Sequence, residues 1–272
     1  MTVIGTNTAS LRAANASNAA NSALSSAMQR LSTGKRINSA KDDAAGLAIA
    51  TSMTSQIRGM SQAVRNANDG MSMAQTADGA LGEITNMLQR IRELAVQSAS
   101  GTYSDDDRTN LQTEVTALTT QITSILDNTK FNNVALFDGT AGSSGTVTVQ
   151  VGSSAADTVD ITFDDVDLDD AVAIDISDAS DASDALETLD DAMTTINTAR
   201  AGFGAAASQL QSVVNNLNSN IENLSDARSQ IEDTDFSSET AALAKAQILQ
   251  QASTAMLAQA NQSQQGVLKL LQ

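Results

Sequence analysis

The chain has 272 residues, a formal charge of −17, and no His, Cys, Trp or Pro. Those absences exclude a disulfide framework and thiol chemistry, and they remove the commonest general base and the soft metal ligands. The apolar fraction is 41%, but with only five Phe and one Tyr the core must be built from aliphatic side chains and alanine.

The first predicted element is a short helix. Leu24, Met28 and Leu31 mark one of its faces, and Gly34 ends it as a C′ glycine. The stretch "RINSAKDDAAGLAIA" (Arg36–Ala50) follows. Ser39 and Asp42 have the spacing of a capping box, and Asp42 and Asp43 stand where a helix N-terminus favours acids. Arg36 and Lys41 are placed to pair with neighbouring acids, while Gly46 allows close packing. Gly34, Arg36, Lys41, Asp42, Asp43 and Gly46 therefore read as a rigid joint between domains rather than as a reactive site.

A long seam comes next. Ala50, Met53, Ile57, Met60, Val64, Ala67, Met71 and Ala74 alternate steps of three and four. One extra step of three leads to Ala77, and alternation resumes through Leu81, Ile84, Leu88, Ile91 and Ala95. This pattern predicts a coiled-coil helix from about Ala44 to Ser98 with one stammer, ~80 Å long. A second helix presents Leu111, Val115, Leu118, Ile122 and Ile125, with Ser104 and Asp107 as its capping box.

Between about residues 131 and 177 the period changes to two. "TVTVQV" (Thr146–Val151) and "DTVDITF" (Asp157–Phe163) alternate, "AVAIDI" (Ala171–Ile176) follows, and glycines punctuate them. A small β-hairpin region is expected there. A third helix then runs from Leu186 to Ile231 on an unbroken three–four alternation, interrupted in polarity only at Arg200 and Arg228. "EDTD" (Glu232–Asp235) separates it from a final amphipathic helix. Helices this long must lie side by side. The expected fold is mainly α: long antiparallel coiled-coil helices forming a rod, terminal helices paired, and a small β region in the middle.

Charge is unevenly spread. Residues 1–102 carry a net +3, residues 103–198 a net −18, and residues 199–272 a net −2. The near-neutral ends can approach other chains without strong repulsion, and the acidic middle favours water. Such a surface argues against nucleic acid. No apolar run is long enough for membrane insertion, and the N-terminus lacks the basic and apolar regions of a cleaved signal peptide. A calcium loop starting at Asp165 fails, because Asp170 stands where Gly is needed and Ile176 where a bidentate Glu is needed. No catalytic group, cofactor or metal site is expected, and the chain does not read as an enzyme. The remaining feature is the weak amphipathic stripe at each end, which must be buried on something. It either closes within one molecule or joins subunits. The preferred reading is a subunit interface of Leu11, Leu24, Met28, Leu31, Met256, Val267, Leu270 and Leu271.

The blocks "QRLSTGKRINSAKDDAAGLAIA", "RNANDGMSMAQTADGALGEI", "LQRIRELAVQSASGT", "ARSQIEDTDF" and "AKAQILQQASTAMLAQANQ" resemble the terminal regions of bacterial flagellins, over about residues 1–138 and 183–272. The resemblance implies a structural subunit that polymerises into the flagellar filament used for motility. It implies a filament core of residues 1–40 and 233–272, and a rod-like domain of residues 41–232. It further implies type III export without a cleaved signal peptide and an extracellular location. The implied partners are other copies of the chain or other flagellins, an export chaperone, the filament cap and hook-junction proteins. In related flagellins the surface matching Gln89, Arg90, Glu93, Leu94 and Glu114 meets the vertebrate Toll-like flagellin receptor. Ser143, Ser144, Ser153 and Ser154 are O-glycosylation candidates. The alternatives are a hook–filament junction protein and a non-flagellar coiled-coil scaffold.

Overall fold

A computed structural model describes residues 6–163 and 165–269. The elements run α1 (Thr8–Thr33), α2 (Ala44–Ala99), α3 (Asp105–Asn128), β1 (Lys130–Phe131), β2 (Val134–Ala135), β3 (Thr146–Gln150), β4 (Thr158–Thr162), α4 (Asp169–Val172), α5 (Ala179–Glu232) and α6 (Phe236–Lys269). By its contacts the chain divides into a unit of Met1–Ser55 with Asn223–Gln272 and a unit of Gln56–Glu222. Both α2 and α5 contribute to each unit.

In the second unit, α2 and α5 run antiparallel. Arg92 pairs with Asp190 and Asp78 with Arg200, both at 2.8 Å, so one number falls as the other rises. The α3 helix folds back along α2, as Arg90 to Glu114 and Ser98 to Arg108 show. Leu81, Ile84, Leu88 and Ile91 are fully buried between these helices, each contributing roughly 1.5–3 kcal/mol by leaving water.

The buried stripe on α2 differs from the expected seam. It runs Met60, Ala63, Ala67, Gly70, Ala74, Ala77, Leu81, Ile84, Leu88, Ile91, Ala95 and Ser98, an unbroken three–four alternation. There is no extra step at Ala74–Ala77. Val64 and Met71 are half-buried flanks, and the smaller Ala63 and Gly70 take the seam. The reason is local: a Cβ on Gly70 would lie 3.0 Å from Val149 Cγ2 and 3.3 Å from both Ile161 Cδ1 and Leu210 Cδ1. Helix α2 passes directly under the hairpin there, and α5 closes from the other side.

That hairpin is β3–β4, antiparallel, with Val147 opposite Ile161 and Val149 opposite Val159. Val159, Ile161 and Phe163 face inward, while Thr158, Asp160 and Thr162 face out, as period-two patterning requires. Asn66 on α2 donates to the Gln150 carbonyl at 3.1 Å. The "AVAIDI" stretch is not a strand. It holds the end of the one-turn helix α4 and then a segment that Gln112 on α3 fixes, accepting from Ile176 N–H at 2.8 Å and donating to Ile174 O at 3.2 Å. One glutamine thus serves the backbone as a neighbouring strand would. Helix α5 also begins earlier than Leu186, at Ala179.

Candidate assembly surface

The first unit is built on α1 and α6. Asn7 donates from Nδ2 to Ala260 O at 3.2 Å, and Arg30 approaches Glu239 at 3.7 Å, so the two helices are antiparallel. Their shared seam is small: Ala20, Ala27, Ala246, Ser253 and Ala260 are buried. Small residues bring the helices close but remove little apolar area. The larger side chains point elsewhere. Leu11 is 60% exposed, Met28 57%, Phe236 67%, Ile248 66% and Met256 63%, with Ile49 and Leu249 also exposed. Leu24 and Leu31 are half-buried. Val267 falls within α6, while Leu270 and Leu271 lie outside the described residues. A groove of about 530 Å³ runs between the helices, lined among others by Ala9, Arg12, Ala13, Ala252 and Met256.

At the joint, Gly34 adopts φ 71° as the C-cap of α1. Segment 34–36 lies against the end of α5: Thr234 N–H donates to Gly34 O at 3.0 Å, and Arg36 N–H to Glu232 O at 2.6 Å. Arg36 also donates from Nη2 to Ile231 O at 2.8 Å. It meets carbonyls at a helix C-terminus rather than an acid, a favourable place for a cation. Among the described residues the ion pair here belongs to Lys35, 2.6 Å from Glu232, and not to Arg36 or Lys41.

The expected capping box is also displaced. Asp42 Oδ2 accepts from the N–H groups of Asn38 and Ser39, closing a turn before the helix. The cap of α2 is Asp43, whose Oδ1 accepts from Gly46 N–H at 2.9 Å. Gly46 is needed for this contact. A Cβ there would sit 2.5 Å from Asp43 Oδ2 and 2.7 Å from Ile37 Cδ1.

In the second unit, Arg90 bridges Glu114 at 2.8 Å and Glu93 at 3.0 Å, and both acids hold its guanidinium more firmly protonated. Gln89 is exposed beside them, but Leu94 is 1% exposed and belongs to the core. It cannot be touched from outside, because the buried stripe of α2 widens there to include it. Ser143, Ser144, Ser153 and Ser154 are all exposed.

Arg108 is the residue that spacing did not reveal. It is 5% exposed, and it donates to Ser100 O at 3.0 Å, Tyr103 O at 3.2 Å and Ser98 Oγ at 3.4 Å. Its charge is satisfied by the carbonyls just beyond the end of α2. The run "DDDR" looks like a solvated charge cluster, which hides this role.

Several carboxylates are held below their ordinary range. Asp190 is lowered by Arg92, Asp107 by the Ser104 hydroxyl and N–H in the capping box of α3, and Asp42 by the N–H of Asn38 and then by Ser39. A depressed folded value stabilises above the unfolded value, and that stabilisation is lost as pH falls through the folded one. The urea midpoint should therefore stay flat from neutral pH to about pH 5 and fall below about pH 4. Asp107→Asn with Asp190→Asn should flatten the acid limb; an unchanged limb would refute the assignment.

Long paired helices around a small aliphatic core, with large apolar side chains left exposed on the terminal helices, are the features of a structural protein. Comparison with known proteins says which. Residues 4–142 match the bacterial flagellin N-terminal helical region, and residues 186–271 the bacterial flagellin C-terminal helical region. A flagellin of Halalkalibacterium halodurans is 43% identical over 249 residues, covering 90% of each chain. One from Bacillus subtilis is 39% identical, covering 98% of this chain and 99% of its own. A flagellar filament 33 kDa core protein of Treponema phagedenis is 41% identical, covering 90% and 91%. Among solved structures, Bacillus cereus flagellin matches 56% of this chain and 88% of its own, at 34% identity and a TM-score of 0.52. A putative flagellar hook-associated protein from Vibrio parahaemolyticus matches 71% of this chain at a TM-score of 0.62 and 16% identity, a likeness of fold alone.

The chain belongs to the bacterial flagellin family. It is a structural subunit of the flagellar filament, and nothing favours a junction protein or a free scaffold.

Proposed function

We propose that copies of this chain join through the terminal-helix unit. One observation carries this reading: of the ten exposed large apolar side chains among the described residues, seven lie in that unit. The α1–α6 pairing leaves six of them in water, the seventh being Ile49 at the start of α2, an apolar concentration that marks a surface for association rather than for solvent. Residues 1–40 and 233–272 form the filament core in this reading, and residues 41–232 face outward. Leu11→Asp places a charge among these exposed side chains without touching the Ala20–Ala246 seam. It should abolish filaments by electron microscopy while leaving circular dichroism unchanged. Normal filaments from this variant would refute the interface.

The family supports finer proposals. The chain leaves the cell by the flagellar type III route without a cleaved signal peptide, meeting an export chaperone, the filament cap and hook-junction proteins. An intact mass for the extracellular protein below 28.1 kDa would reveal cleavage, and one above it a glycan on residues such as Ser143, Ser144, Ser153 or Ser154. The monomer engages the vertebrate Toll-like flagellin receptor through Gln89, Arg90, Glu93 and Glu114, with Leu94 supporting them from beneath. Reporter cells that stay silent toward the monomer would remove that proposal.

A further inference from the structure

Sulfur in this chain is methionine alone. There are nine Met, and no Cys, Trp or His to intercept an oxidant. A two-electron oxidant therefore meets thioethers first, and exposure decides which. Among the described methionines the sorting is clean. Met60 and Met73 are buried, Met53, Met71, Met87 and Met193 are half-buried, and only Met28 and Met256 are exposed. Both stand on the terminal helices. Neither is part of the seam of Ala20, Ala27, Ala246 and Ala260, and Met256 lines the groove between α1 and α6.

We propose that Met28 and Met256 are modification sites at which a hydroperoxide withdraws free subunits from assembly. The proposal rests on the reading of the terminal helices as the subunit interface. The thioether sulfur attacks one peroxide oxygen, so an S–O bond forms and the O–O bond breaks. Sulfur loses two electrons, and the remaining peroxide oxygen takes a proton and leaves as water when the oxidant is hydrogen peroxide. The product is a sulfoxide, a strong acceptor in place of a flexible apolar group. On the free subunit the sulfoxide oxygen stays hydrated, and the α1–α6 seam is undisturbed. At an apolar interface it must shed that water without a partner, so association is penalised while the subunit's own fold is not. Assembled subunits have these sulfurs covered, which confines the reaction to free chains. Methionine sulfoxide reductases reverse the step.

The experiment treats the full-length monomer, freed from filaments by heat, with hydrogen peroxide. Peptide mass spectrometry should find one added oxygen on Met28 and Met256 well before Met60 and Met73. The oxidised monomer should keep its circular dichroism and need about tenfold more protein to polymerise. The double variant Met28→Leu, Met256→Leu should show no shift on treatment relative to its own untreated sample. Oxidation of Met60 and Met73 at the same rate would overturn the proposal. So would unchanged polymerisation of the oxidised chain in conditions where untreated Leu11→Asp fails to assemble. If Leu11→Asp itself assembles normally, the interface reading falls, and this proposal falls with it.

Discussion

A chain ending at Asp235, and so lacking α6, is expected to form no filaments and to lose the helical signal of α1 as well. The two helices have 26 and 34 residues, and each buries its inner stripe on the other. For α1 that stripe is chiefly Ala20 and Ala27, with Leu24 and Leu31 beside them. Such a helix has no acidic residue in its first turn to favour it electrostatically. Isolated helices of this kind are marginal in water, since tertiary packing supplies most of their stability. Removing α6 therefore removes its own exposed Phe236, Ile248, Leu249 and Met256, and melts the scaffold that presents Leu11 and Met28. The second unit should be unaffected. Its core, from Ala67 through Phe163 to Val214, lies wholly within residues 56–222, and sites without shared partners act independently. Circular dichroism should lose the 222 nm contribution of both terminal helices while the cooperative urea transition of the remainder stays in place. Filaments from this truncated chain would overturn the assembly reading.

The helices were legible because their physics is periodic. The alternation at Leu81, Ile84, Leu88 and Ile91 fits one face of a helix and no strand, and the structure buries all four. Legibility failed where small residues do the packing. Periodicity in large residues favours Val64 and Met71 over Ala63 and Gly70, yet the smaller pair is buried, and at Gly70 the close approach of Val149 and Ile161 leaves no room for a larger side chain. The same holds on α5, where Ala185 and Ala192 are buried and Leu186 and Met193 only half so. Joints were legible in place but not in detail. Two consecutive acids, Asp42 and Asp43, could each serve as a cap, and only the backbone path decides that Asp43 does. Contacts between elements left no periodic trace: Gln112 with the distant Ile174 and Ile176, and Arg108 across the nearby turn with the end of α2. At the assembly surface, Leu11 and Met28 could be named from amphipathicity. That they remain exposed after α1 and α6 pair could not, because a stripe of alanines and a stripe of large residues on one helix compete for the same partner.

Phe163→Ala is expected to destabilise the second unit by about 3–5 kcal/mol, the usual cost of emptying a fully buried aromatic site. Phe163 directly follows β4, is completely buried, and packs on Phe203 of α5 with ring centroids 5.1 Å apart and planes tilted by 35°. In a chain so poor in aromatic groups this pair is an aromatic contact joining the hairpin region to α5. A two-stranded hairpin is barely stable alone. Here Phe163 N–H donates to Gly145 O at 2.6 Å, and the inward Val159 and Ile161 share its face. Truncating the ring leaves Phe203 beside a void that the long, regular backbone of α5 cannot collapse to fill. The loss should exceed the transfer free energy of the ring alone, because both the cavity and the lost stacking contribute. Urea denaturation of the monomer should record the drop in midpoint, with Phe236→Ala as the control. Phe236 is mostly in water and should change stability by less than about 0.5 kcal/mol. The two variants should then part in the opposite direction in assembly. Phe236→Ala should weaken polymerisation of a well-folded subunit. Phe163→Ala should leave the terminal helices competent, so filaments still form but release the hairpin of residues 146–162 to protease. Equal stability of the two variants would show that the hairpin is held by something other than this pair.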